Sequence, residues 1–230
     1  MKRHFDDELA SLKERLLRMG ALTEKMIHLS VKDLFARTEV DRKELEKLER
    51  EVNDLQIVID DRAVKLIALR QPMGADLRLL FMSSRIAGEL ERIADQAMNV
   101  IETTHHYIAE GPGLKPVVDL PLMAEMCQEM VREALDAFVR GDVGLAKRVL
   151  ETDDKVDACK VRMFDEMLEQ MTRDSSTVRR GMCIVLISRN LERIGDHATN
   201  IAEEVIYMVE ARDVRHHHGE APPAAGGSKA

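Results

Sequence analysis

The chain has 230 residues, of which 45% are hydrophobic and 33% charged, so it can bury a sizeable core and is too apolar to be a disordered protein. Its formal charge of −8 lacks the basic surplus with which nucleic-acid binders displace counterions, so no nucleic acid is expected as a partner. Aromatics make up only 3%, Trp is absent and Met numbers 14, which leaves an aliphatic core with Met filling irregular gaps.

Cys127, Cys159 and Cys183 are odd in number and form no Cys-x-x-Cys pattern, as expected of reduced thiols in the cytosol. The first residues, Met-Lys-Arg-His-Phe-Asp-Asp-Glu, turn acidic where a signal peptide needs an apolar run. No stretch of about 18 apolar residues follows. The expected location is cytoplasmic, with no transmembrane segment and only peripheral membrane association through partners.

The six prolines fall in three places, and the long intervals between them are free to be helical. From about Phe5 to Ala36, Leu9, Leu12, Leu16, Met19, Met26, Leu29 and Leu34 recur at three- and four-residue steps and predict a first helix. Asp41 is a candidate N-cap for a second, with Leu45, Leu48, Val52, Leu55, Ile59 and Leu66 on one stripe, ending near Arg70 because Pro72 follows. A third helix begins after Gly74, carries Leu77, Leu80, Ile86, Leu90, Ile93, Ala97 and Ile101, and fades around Tyr107. Gly111-Pro112-Gly113-Leu114-Lys115-Pro116 is the strongest break in the chain.

A fourth helix runs from Val117 or Leu122 to Arg140. A fifth, capped by Asp142, reaches about Thr172. A sixth follows the capping residues Asp174-Ser175-Ser176 and carries Val178, Val185, Leu191, Ile194, Ala198, Ile201 and Val205. Residues beyond Arg215 read as a disordered tail.

One stretch occurs twice. Leu90-Glu91-Arg92-Ile93-Ala94-Asp95 returns as Leu191-Glu192-Arg193-Ile194-Gly195-Asp196, too far apart for a solenoid repeat. Phe35-Ala36-Arg37 likewise resembles Phe138-Val139-Arg140 at the junction of the first two helices of each half. With no period-two segment, the fold class is all-α: two tandem pseudo-symmetric three-helix bundles over 1–110 and 117–215, followed by the tail 216–230.

In each copy an acid ladder climbs one helix face at i, i+4 and i+8: Glu91, Asp95 and Asn99, then Glu192, Asp196 and Asn200. The preceding helices offer partner pairs, Glu49 with Asn53 and Asp153 with Asp157. If consecutive helices pack antiparallel, four oxygen-bearing side chains converge in each half, and a cation is needed to offset their repulsion. Hard oxygen donors favour iron(III), manganese, magnesium or calcium, and zinc accepts them too. Asn53 replaces an acid, so the first site should bind more weakly or recruit Asp54 or a water.

Di-iron bundles use two Glu-x-x-His pairs, and here only Glu102 to His105 has that spacing on a predicted helix. His105-His106 and His216-His217-His218 read as solvated. No Gly-rich phosphate loop, Gly-x-Ser-x-Gly or His-Glu-x-x-His is present. Arg70 and Arg78 flank the start of the third helix, where a small anion is one reading and an ordinary helix connection the preferred one.

Together, Arg70-Gln71-Pro72 with Asp76-Leu77-Arg78, the doubled Leu-Glu-Arg-Ile-x-Asp, Asp153-x-x-x-Asp157 and Asp213-Val214-Arg215-His216 resemble the PhoU family of bacterial phosphate-signalling proteins. The resemblance implies a six-helix, non-catalytic adaptor carrying multinuclear iron or zinc clusters. Carried to this chain, the ligands are Glu49 with Glu91 and Asp95, and Asp153 and Asp157 with Glu192 and Asp196. It also implies a homodimer that links the ATPase of the phosphate-specific ABC transporter to the sensor histidine kinase PhoR and keeps the phosphate regulon off when phosphate is plentiful. Two other readings stay open, a ferritin-like metal-storage or redox bundle and a helical interaction module without metal.

Overall fold

The structure, a computed structural model, describes residues 2–37, 42–114 and 119–214. The candidate cap Asp41, the alternative helix start at Val117 and the tail 216–230 lie outside them. Six long helices follow one another: α1 (Lys2–Ala36), α2 (Arg42–Arg70), α3 (Ala75–Ala109), α4 (Asp119–Arg140), α5 (Val143–Arg173) and α6 (Val178–Glu210). A single 3-10 turn, Ser175–Thr177, precedes α6, and no strand occurs among the described residues.

The predicted start and stop signals act locally. Asp142 accepts a hydrogen bond from Leu145 N at 3.0 Å and so caps α5. Asp174 caps the 3-10 turn instead of α6 itself, accepting from Ser176 N at 2.9 Å. Gly141, at φ 63°, supplies the left-handed residue that ends α4. The equivalent position after α1 is Arg37, at φ 51°. Its guanidinium donates to Gly111 O at 2.5 Å and lies 5.0 Å from the Tyr107 ring centroid, contacts that hold it in a conformation glycine adopts more readily.

This corrects the repeat by one residue: Arg37 aligns with Gly141, so Leu34 matches Phe138 and Phe35 matches Val139. Burial agrees, because Leu34 and Phe138 are in the core whereas Phe35 and Val139 are exposed. Two further expectations change. Leu77 and Val178, placed on core stripes by their period, are exposed at the starts of α3 and α6. The α1 stripe runs through Thr23 and Ser30, both fully buried, and Leu29 is only partly covered. Their hydroxyls donate to Met19 O at 3.0 Å and Ile27 O at 2.8 Å, which satisfies them inside the core.

Helices α1, α2 and α3 pack on one another, as do α4, α5 and α6. The halves join where α3 lies along α6, with a smaller contact between α1 and α4, and α2 and α5 lie outermost. One continuous core runs through both halves. The α3–α6 pairing is antiparallel: Arg78 donates to Met208 O at 3.0 Å, Arg85 pairs with Glu204 at 2.6 Å and Glu110 pairs with Arg179 at 3.2 Å. Midway, Glu89 faces His197 Nδ1 at 2.9 Å and accepts from Asn200 at 3.1 Å, with Arg92 on its other oxygen.

Burial opposes ionisation of Glu89, but these hydrogen bonds win and hold its carboxyl at about 2. Its contribution to stability is therefore fully present above the ordinary value of 4.5 and lost as pH falls through about 2. Glu89→Ala is expected to destabilise the protein by about 2–4 kcal/mol, because it leaves partly buried donors unpaired across the seam. Urea unfolding at pH 7 measures this, and a loss under about 0.5 kcal/mol would count against it.

Candidate metal centre

Each acid ladder lies where an outer helix crosses a seam helix. In the second half, Asp153 and Asp157 of α5 approach Glu192 and Asp196 of α6. Asp153 is partly buried, and this desolvation, with repulsion from Asp196, Asp157, Asp154 and Glu192, pushes its carboxyl up to about 7. Asp196 is raised by burial and by Glu192 and Asp157, with relief from His197 and Lys160. Asp153 and Asp196 thus both feel the charges of Asp157 and Glu192. Gly195 eases the approach, since a Cβ there would stand 3.3 Å from Asp153 Oδ1 and press that side chain back slightly.

The first half repeats the arrangement with less charge. Glu49 of α2 is raised by burial and then by Asp95, Glu46 and Glu102, with Arg50 opposing. Glu91 and Asp95 of α3 are also raised, chiefly by burial. A groove of about 400 Å³ opens here, lined by Arg42, Glu46, Glu49, Arg50, Asp95 and Glu102 among others. Asn53 holds the place of the second acid of α2, and its Oδ1 is buried without a hydrogen-bond partner.

The donors suit a hard cation in type, and the cradle at Gly195 leaves room for Asp153 against α6. The side chains are not gathered around one point, however. Among the described residues, no three His, Cys, Asp or Glu side chains are arranged to hold an ion. The repulsion is relieved in other ways, by Lys160 Nζ on Glu192 Oε1 at 2.5 Å and by the raised value of Asp153. Glu46, Arg50 and Lys160 escaped the sequence reading because they sit on faces that look solvated; their only signal was spacing one turn from a ladder residue.

The remaining candidates are used elsewhere. Glu102 borders the α2–α3 groove while His105 turns towards α1, its Nε2 buried and 3.9 Å from Asp33. The one Glu-x-x-His spacing is thus split, and His105 is not solvated as expected. Arg70 pairs with Glu8 at 2.9 Å and Arg78 is spent on Met208 O, so the start of α3 is an ordinary connection. The three thiols are free, with Cys127 buried and donating to Leu191 O at 3.1 Å. Among the described residues no helix is long and apolar enough to cross a membrane.

Because Asp153 is raised, the stability it contributes is fully present below the ordinary value of 3.8 and lost as pH rises through about 7. With metal chelated, Asp153→Asn is expected to stabilise the protein by about 1 kcal/mol at pH 8, after allowance for solvent screening of a partly exposed group. The gain should shrink towards zero at pH 4. Urea unfolding at both pH values tests it, and a variant less stable than the parent at pH 8 would contradict the repulsion.

Comparison with known proteins gives the same duplicated layout. The family profile described as PhoU domain matches twice, at residues 16–104 and 120–205. A phosphate-specific transport system accessory protein PhoU homolog from Pseudomonas aeruginosa is 36% identical over 216 residues, 94% of this chain and 89% of that protein. The phosphate-specific transport system accessory protein PhoU of Escherichia coli is 30% identical over 217 residues, with the same 94% and 89%. The crystal structure of PhoU from Pseudomonas aeruginosa superposes with a TM-score of 0.86, covering 90% of this chain and 100% of that one at 36% identity. The chain belongs to the PhoU family.

Proposed function

We propose that this chain is a non-catalytic negative regulator of the phosphate regulon, an adaptor coupling the ATPase subunit of a phosphate-specific ABC transporter to the sensor histidine kinase PhoR. The observation that carries the reading is the family match in both halves, together with relatives named as accessory proteins of phosphate-specific transport. The adaptor works as a cytoplasmic homodimer and reaches the membrane through its partners.

Asp153, Asp157, Glu192 and Asp196 would hold the cation of the second half, and Glu49, Glu91 and Asp95 that of the first. A multinuclear iron or zinc cluster, with manganese or magnesium as alternatives, supplies positive charge that offsets carboxylate repulsion. Glu192 must leave Lys160 to join the set, and Asp153 must give up its proton. Both changes tie α5 to α6 and fix the shape that the partners read. The burial, and after it the mutual repulsion, that raise Asp153, Asp196 and Glu49 support this reading.

A strain lacking the chain is expected to express alkaline phosphatase constitutively, and repression in high phosphate that persists without it would sink the regulator reading. For the metal, elemental analysis of untagged protein should find stoichiometric iron or zinc, lost from the second half in Asp153→Ala, Glu192→Ala. Equal metal content in that variant and the parent would remove these residues as ligands.

A further inference from the structure

A second groove, of about 550 Å³, opens between α5 and α6 beside the acid ladder. Val161, Phe164 and Val185 line it together with Lys160, Arg189 and Arg193, and with the ladder acids Glu192 and Asp196. Val161 and Phe164 are 59% and 50% exposed, and Leu168, one turn on from Phe164, continues the stripe at 50%. Three apolar side chains at i, i+3 and i+7 on one uncovered face present what a partner helix buries. Glu192 is occupied by Lys160, but Arg189 and Arg193 make no ion pair or hydrogen bond among the described residues. They stand one turn apart on α6, the spacing of carboxylates at i and i+4 on a facing helix.

The first half lacks this combination. With α2 aligned on α5 and α3 on α6, Asp60 stands at the place of Phe164, Ser84 at that of Val185 and Gly88 at that of Arg189. Ser84 donates to Asp60, which closes the position with a polar contact. Apolar side chains are exposed there too, Ile57 and Phe81 among them, but without a ladder of free guanidiniums. The chain as a whole carries −8, whereas in this groove Lys160 offsets Glu192 and the two unpaired arginines outweigh Asp196, a local reversal of sign.

We propose that the α5–α6 groove docks an acidic amphipathic helix of a partner protein, its apolar face on Val161 and Phe164 and its carboxylates on Arg189 and Arg193. The concave shape suits a helix better than a membrane surface, and the net negative charge of the chain opposes an anionic bilayer.

The test titrates the full chain into a fluorescein-labelled helical peptide of about 18 residues, Leu on one face and Glu on the other, followed by anisotropy. Phe164→Glu and Arg189→Glu, both at exposed positions, are expected to weaken binding at least about tenfold each while leaving the melting curve unchanged. Replacing the peptide's Glu by Lys should abolish binding. The proposal is overturned if both variants bind like the parent, or if Phe81→Glu in the first half has the larger effect. It is overturned equally if the Lys peptide binds as well. Sedimentation velocity and phosphatidylglycerol vesicle flotation cover the other occupants. If Phe164→Glu splits an oligomer, or releases the chain from vesicles, while peptide binding stays intact, the groove belongs to a second copy or to a membrane.

Discussion

The antiparallel packing of α3 along α6 is the constraint on which the rest of the molecule depends. Among the described residues it is the broadest helix contact, it joins two halves that share one core, and each of its helices carries an acid ladder on its outer flank. Buried Leu90, Ile93, Ala97 and Ile101 on α3, with Leu191, Ile194, Ala198 and Ile201 on α6, supply apolar area that no polar contact at the seam could replace. Because these stripes face inward, Glu91, Asp95, Glu192 and Asp196, each one residue after buried Leu90, Ala94, Leu191 or Gly195, are turned towards the edges, where α2 and α5 arrive. The acidic sites are thus a geometric consequence of the seam.

The polar contacts across the seam set register more than they add stability. Arg78, Arg85, Glu89 and Glu110 of the α3 side each find a partner on α6 or at its end, and sliding one helix by a turn would break all four. Glu89 matters most, since its side chain is only 13% exposed and takes hydrogen bonds from both His197 and Asn200. His197 follows Asp196 directly and, when protonated, opposes the burial that raises Glu91, Asp95 and Asp196. One imidazole thereby touches the electrostatics of both halves.

Much of this was legible in the sequence. Helical stripes of Leu, Ile and Val gave all six helices to within a few residues, and the doubled Leu-Glu-Arg-Ile-x-Asp located both ladders. What stayed hidden had physical causes. Thr23 and Ser30 break the apolar stripe of α1 in composition but not in burial, because each hydroxyl finds a carbonyl of its own helix. The register of Phe35 against Phe138 was misread because phenylalanine is the more conspicuous match, whereas the left-handed residue after each helix is the one backbone geometry fixes. Glu89 and His197 lie 108 residues apart and join helices of different halves, a contact that no local period encodes.

The two halves share one plan, and at their acid sites three differences matter. Asn53 replaces Asp157, Ala94 replaces Gly195, and Gln56 takes the place of Lys160. Each change lowers the tension in the first half: one carboxylate fewer, a Cβ where Gly195 lets Asp153 lie close, and no need for an ammonium to offset the rest. A carboxylate cluster draws a cation in proportion to the repulsion that the cation relieves. Asp153, raised furthest by burial and then by its neighbours, marks the second half as the one where a cation would relieve more of that repulsion. The Oδ1 of Asn53 is buried without a hydrogen-bond partner, so the first half holds a neutral oxygen where the second holds the carboxylate of Asp157.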